Sequence, residues 1–249
     1  MDRSRTAARA GFVAVTLSAA LVVVAVAVAP FLSSGWVAFE QSRSGAAALT
    51  GYSTADLRTV TDAILADLVV GPPDFDVELD GAPVLTATER SHMRDVRGVF
   101  SGFFLVAAVA LAFLVAAFAY ASRGGRSRRD VWRAVRRGAL GLAVATIGAG
   151  VIALVAFDAA FEVFHRLFFA DGTYLFDPAT SRLVQLFPFA FWSETSIAVG
   201  GVIVALAAGC AWFAGRRLSA GERPAADAGA DHPGLTESAC RASEQGSAR

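Results

Sequence analysis

The sequence contains no lysine: all 22 of its basic residues are arginine. They sit without regular spacing, and no nucleic-acid-binding motif accompanies them, so they read as a coding bias and not as a phosphate grip. Nucleic acid is not an expected partner. Cysteine is nearly absent. Cys210 lies inside the last apolar run and Cys240 in a polar tail, where a disulfide between them would need a membrane-embedded partner, so both are expected as free thiols. Charge of either sign is scarce at 18%, against 55% hydrophobic residues and a mean hydropathy of +0.52. An ordinary soluble domain of 249 residues is excluded by that balance.

Long apolar runs take the place of charge. Crossing about 30 Å of hydrocarbon takes roughly 20 mainly apolar helical residues, and four stretches qualify: 11–32, 99–121, 139–161 and 197–215. The first resembles a signal peptide, with Arg3, Arg5 and Arg9 ahead of it and Ala27-Val28-Ala29 as an apparent cleavage site. Its apolar core is longer than the roughly 7–15 residues of a signal sequence, and Pro30 follows the apparent cut, so it is expected to remain as a spanning helix.

The two signs of charge are segregated, and arginine asymmetry sets the expected orientation. The N-terminus (1–10), the basic segment 122–138 and Arg216-Arg217 are assigned to the cytoplasm. The region 33–98 carries ten acids against five arginines and is assigned to the outside, as is the connection 162–196. From Leu218 the chain is rich in Ala, Gly, Ser and charge, which predicts a disordered cytoplasmic tail within 216–249, His232 included. The basic segment reads as a topology signal with some attraction to anionic headgroups.

Two helix starts punctuate the outer region. Ser53 to Asp56 and Thr86 to Glu89 both have capping-box spacing. After the first, Leu57, Val60, Ile64, Leu65 and Leu68 recur on one helical face until Pro72-Pro73, so an amphipathic helix is expected there. After the second, helical periodicity runs unbroken through Gly98 into the second span. The expected fold is therefore all-α: a four-transmembrane-helix bundle with a small helical extracytoplasmic domain between helices one and two.

Two histidines fall at the same membrane level. His92 precedes the second span by about two turns, with Asp95 three residues on; His165 ends the third span, with Glu162 and Asp158 on the same face. Ionisable groups at that depth are costly and usually face a bundle interior or a wet cavity. Three readings fit the spacing: interfacial imidazoles satisfied by water and headgroups, a carboxylate–histidine metal site of the Glu-x-x-His type, or a general acid–base pair titrating near neutrality. Following His165, the segment with Phe168, Phe169, Tyr174, Phe176, Asp177, Pro178, Phe187 and Trp192 is too aromatic for open water. It is expected to lie in the interface, either as a wall over a site or as an anchoring belt.

The motifs Tyr52-Ser53-Thr54-Ala55-Asp56-Leu57, Glu89-x-x-His92-Met93-x-Asp95-Val96, Phe164-His165-x-x-Phe168-Phe169, Phe176-Asp177-Pro178 and Leu186-Phe187-Pro188-x-x-Phe191-Trp192 occur in this order. Together they resemble the bacterial lipoprotein intramolecular transacylase family and its uncharacterised four-helix membrane relatives. The resemblance implies movement of the sn-2 acyl chain of a diacylglyceryl lipoprotein onto its N-terminal cysteine amine, without a cofactor or metal, in the bacterial cytoplasmic membrane. It assigns His92 and His165 to catalysis. Asp95, Glu162, Asp158 and Asp177 are the candidate supporting groups, and Phe168, Phe169, Tyr174, Phe187 and Trp192 the candidate lining. The family pattern tends to have Trp at Tyr174 and an acidic residue near Ser181-Arg182. The competing class is a non-enzymatic membrane protein whose outer domain binds a partner or lipid.

Overall fold

The computed structural model describes residues 2–123, 125–170 and 172–220. His232, Cys240 and the tail from 221 lie outside the described residues. Four helices are long and apolar enough to cross a membrane: α1 (Asp2–Val28, extended by a 3-10 turn, Ala29–Leu32), α5 (Ala87–Ala121), α6 (Gly125–Phe168) and α8 (Phe189–Ala220). Each exceeds the apolar stretch inside it, because nothing in the flanking polar sequence breaks the helix. The basic segment 122–138 is accordingly helical from Gly125 onward, and Leu218 to Ala220 belong to α8.

Small residues hold the spanning helices together. α1 touches the other three, and α6 packs along α8. The contacts are built on Ala19, Ala134, Ala139, Ala207, Ala211 and Ala214, all buried. Lipid gives no hydrophobic drive for helix association, so close approach of small side chains must supply the packing energy. Where α6 crosses α1, a Cβ on Gly138 would sit 2.3 Å from the Thr16 carbonyl, so only glycine permits this approach. Large apolar residues such as Leu105, Val109, Val151 and Leu154 point outward, as a lipid-facing surface requires.

A helical cap closes one end of the bundle. It comprises α2 (Ser34–Ser44), α3 (Ala46–Thr50) and α4 (Thr54–Val69), then a two-stranded hairpin of β1 (Glu78–Leu79) and β2 (Ala82–Pro83), with α7 (Arg182–Leu186) joining from the far end of the chain. Both capping boxes form, at Ser53/Asp56 and Thr86/Glu89. The expected amphipathic face of α4 is buried, with Leu57, Val60, Ile64, Leu65 and Leu68 packed on Phe75, Val84, Met93 and Leu186. The hairpin is the one departure from an all-α reading among the described residues. Asp80 and Gly81 both take positive φ (52° and 76°) in the two-residue loop, the conformation that an Asp-Gly turn favours.

Two further bonds fasten the cap to the bundle. Arg43 of α2 pairs with Glu194 of α8 at 2.8 Å, and the Trp36 indole N–H donates to Thr195 Oγ1 at 3.2 Å. Arg97 of α5 reaches back to the carbonyls of Asp67 and Gly71, the latter at 2.6 Å, and so caps the C-terminus of α4. These contacts fix the rotation of α5 and α8 against the cap. The side chains at their junction are thereby held in register.

Candidate active site

His92 and His165 meet under the cap. His92 is carried by the part of α5 that precedes the apolar stretch from Val99, and unbroken helix from the Thr86 cap fixes its direction. His165 lies in the last turn of α6, beyond Ala156, whose φ of −146° and ψ of 47° bend the helix. Their rings stack 6.1 Å apart at an interplanar angle of 21°.

Aromatic rings enclose the pair. Phe169, only 8% exposed, lies 4.8 Å from the His92 ring and 5.4 Å from His165, touching both. Phe176 meets His92 edge-on at 5.5 Å, Tyr174 covers His165 at 5.1 Å, and Phe161 lies under His165 at 4.1 Å. A surface cleft of about 570 Å³ lined by Glu162, Arg166, Gly172, Tyr174 and Leu175 opens alongside.

The two imidazoles differ in their surroundings. His165 Nδ1 lies 2.8 Å from the Phe161 carbonyl oxygen; a carbonyl only accepts, so in the neutral ring Nδ1 carries the proton and Nε2 the lone pair. His92 is 7% exposed, and its Nδ1 is buried without a hydrogen-bond partner. Burial among phenylalanines, reinforced by the neighbouring His165 and opposed by Asp95, lowers its pKa from the usual 6.5 to about 4. His92 is therefore neutral at physiological pH.

Several candidate residues take other positions. Asp95 is exposed and acts on His92 through space, with no hydrogen bond between them. Glu162 pairs with Arg166 one turn on, because exposed groups at i and i+4 meet on the helix surface, and makes no hydrogen bond to His165. Asp158 is exposed and bonds to neither imidazole. Asp177 serves the backbone, accepting the Ala179 N–H at 2.9 Å on its side chain in the turn that leads to Ser181. Phe168 is 52% exposed and stacks on Phe164, away from the pair. Phe187 and Trp192 stand one layer back, Trp192 reaching Phe161 at 6.2 Å. Among the described residues, no group of three His, Cys, Asp or Glu is arranged to hold a metal ion.

Glu89 is the residue whose importance the spacing understated. It is 1% exposed. Beyond capping α5 through the Thr86 N–H at 2.8 Å, it accepts from the Ser181 hydroxyl at 2.6 Å and the Leu183 N–H at 2.9 Å. A capping box explains only the first bond; the other two cross to a segment that sequence periodicity cannot place.

Residues 12–192 match the family model described as lipoprotein intramolecular transacylase Lit. The chain belongs to the lipoprotein intramolecular transacylase family. The matched range includes both histidines, Glu89 and the aromatic segment through Trp192. No curated protein sequence matches. Among solved structures, the membrane integral lipoprotein intramolecular transacylase from Bacillus cereus is similar at a TM-score of 0.72 and 18% identity, covering 88% of this chain and 98% of that one. Two variants of that protein, with a histidine replaced by arginine or by alanine, are each similar at 0.67 and 18% identity, covering 88% of this chain and 95% or 97% of theirs. At this identity the likeness establishes a common fold with the family's membrane bundle.

Proposed function

We infer that this membrane protein is a lipoprotein intramolecular transacylase, transferring the sn-2 acyl chain of a diacylglyceryl lipoprotein to the α-amine of its N-terminal cysteine. The observation that carries the reading is the stacked His92–His165 pair, 6.1 Å apart inside a chain of this family. The amine attacks the ester carbonyl and a C–N bond forms as the C–O bond to glycerol breaks. One proton travels from nitrogen to the departing glyceryl oxygen, so neither water nor a cofactor enters the balance.

His165 suits the base. Its Nε2 lone pair is available because Nδ1 is committed to Phe161, and an α-amine with a pKa near 8 is within reach of an imidazole. His92 suits the partner that hydrogen-bonds the oxygen developing charge, since it is neutral and keeps a ring N–H in a dry setting; the proton that the glyceryl oxygen takes as it leaves is the one His165 removes from the amine. Phe169, Phe176 and Tyr174 would exclude water, which otherwise competes with the amine for the ester. Donor and acceptor belong to one molecule, so proximity is supplied by the substrate itself.

The arginine distribution supports placing the histidine end outside the cytoplasm and both termini inside. In that arrangement 33–98 and 162–196 form the outer domain, where diacylglyceryl lipoproteins and membrane lipid are the partners. Expression in a host that makes diacylglyceryl lipoproteins, followed by mass spectrometry of the lipoprotein N-terminal peptide, tests the reading. Conversion to the lyso form, lost in His92→Ala and His165→Ala, is the expected result. An unchanged acylation pattern overturns it in favour of a non-enzymatic docking protein, and activity surviving in both variants overturns the roles given to the histidines.

A further inference from the structure

Glu89 carries more hydrogen bonds than its helix needs. The Thr86 N–H occupies Oε2, and that alone completes the cap of α5. Oε1 receives two donors from the other end of the chain, the Ser181 hydroxyl and the Leu183 N–H, and both contacts are buried. The donors are neutral. Burial opposes the charge on Glu89, but the bonds from Ser181, Leu183 and Thr86 outweigh it and hold the carboxyl below the usual carboxylate range. A buried carboxylate that pairs with no cation is costly, and an apolar residue would fill the space without that cost.

What Oε1 fixes is the aromatic wall. Ser181 is the N-cap of α7, and its own N–H closes onto the Asp177 carbonyl at 2.8 Å. The preceding residue, Phe176, rests on His92, and Tyr174 rests on His165. Leu183 and Leu186 lock the same segment into the cap core beside Met93, the residue after His92. A continuous chain of bonds therefore runs from Glu89, one turn before His92 on the same helix, through Ser181 and Asp177 to Phe176. Gln41 and Arg182 tie the same segment to the cap, through the Leu186 and Thr50 carbonyls, but Glu89 is the tie that comes from the His92 helix itself.

We propose that Glu89 is a positioning residue for the acyl transfer, latching the segment 172–186 onto α5 so that Phe176 and Tyr174 stay closed over the two imidazoles. This rests on the acyl-transfer reading of that pair. Two variants separate the latch from the helix cap. Ser181→Ala removes one donor to Oε1, together with the N-cap that Ser181 gives the Val184 N–H of α7, and leaves the Thr86/Glu89 cap of α5 intact. Glu89→Gln offers a single oxygen, so its amide nitrogen must face either the Thr86 N–H or the donors of α7.

The test measures kcat and KM on a diacylglyceryl lipopeptide in detergent, by product mass spectrometry, together with the titration of the His92 ring by NMR. A misplacement of about 1 Å costs on the order of 100-fold in rate. Glu89→Gln is therefore expected to lower kcat about 10- to 100-fold and Ser181→Ala about 3- to 10-fold, with KM within about 3-fold. In both variants the His92 titration is expected to move up toward that of a solvated imidazole. A merely structural role for Glu89 would lower the amount of folded protein without moving that titration. If Glu89→Gln does not fold, Ser181→Ala decides. Wild-type kcat and an unmoved His92 titration in a folded variant overturn the proposal. A moved titration in Ser181→Ala alongside full activity of His92→Ala supports the latch and sinks the acyl-transfer reading.

Discussion

The Phe161 carbonyl accepts the Nδ1–H of His165 at 2.8 Å, one turn back along α6. The bond selects the tautomer and aims Nε2 away from the helix. An asparagine at this position keeps a side-chain N–H near Nδ1 and has nothing where Nε2 was. His165→Asn is thus expected to fold normally and to lose activity by a factor of about 100 to 10,000, the usual contribution of a general base. Mass spectrometry of the lipoprotein N-terminal peptide, with a circular-dichroism melt to show retained structure, is the check.

The buried partner, His92, resists protonation. With its pKa lowered to about 4, His92 is expected to remain neutral at pH 5.5, where an ordinary imidazole is mostly protonated. Ring-nitrogen NMR on histidine-labelled protein, assigned through His92→Gln, gives the titration directly. Linkage fixes the sign of the effect on stability. The unfolded chain binds the proton at a higher pH than the folded one, so the contribution of His92 is fully present above about pH 6.5 and is lost as pH falls from there toward 4. A midpoint near 6.5 would show that the aromatic enclosure is open to water.

The helices, the two capping boxes and the level of the two histidines were legible because each follows from local physics. Hydrophobic length, a side-chain oxygen three residues from a backbone N–H, and helical rise are all sequence-local quantities. What was not legible depended on rotation about helix axes. Glu162 and His165 share a face by spacing, yet the exposed Glu162 finds Arg166, which spacing permits equally. Phe168 and Phe169 are adjacent and chemically identical, yet α6 ends between them and only Phe169 turns inward. The second role of Glu89 involves partners more than 90 residues away, and no local pattern encodes it.

Tyr174 stands where the family pattern tends to have tryptophan, and its geometry explains why either ring serves. Its contact with His165 is ring on ring at 5.1 Å. The hydroxyl interacts with the Arg166 guanidinium on the cleft side, so what faces His165 is the aromatic ring alone. Tyr174→Phe and Tyr174→Trp are expected to keep kcat/KM within about 3-fold, whereas Tyr174→Ala opens the cover and costs about 10-fold or more, given that one buried aromatic contact is worth on the order of 1 kcal/mol beyond its area. Hydrolysis of the ester, seen as free fatty acid in Tyr174→Ala, would be the signature of water reaching the pair.

Far from the histidines, the α1–α6 crossing makes a separate demand. At Gly138 a Cβ would lie 2.3 Å from the Thr16 carbonyl oxygen, a backbone atom that cannot rotate aside. Gly200, by contrast, would place its Cβ 3.8 Å from a Thr146 methyl, an ordinary contact. Gly138→Ala must push the two helices apart and is expected to destabilise the bundle by about 1–3 kcal/mol, the range for overpacking a close interface. Gly200→Ala is expected to be neutral or slightly stabilising, since alanine is the better helix former by about 1 kcal/mol. Melting temperatures of the two variants in one detergent make the comparison, and equal losses would mean that small size at Gly138 is not what sets the crossing.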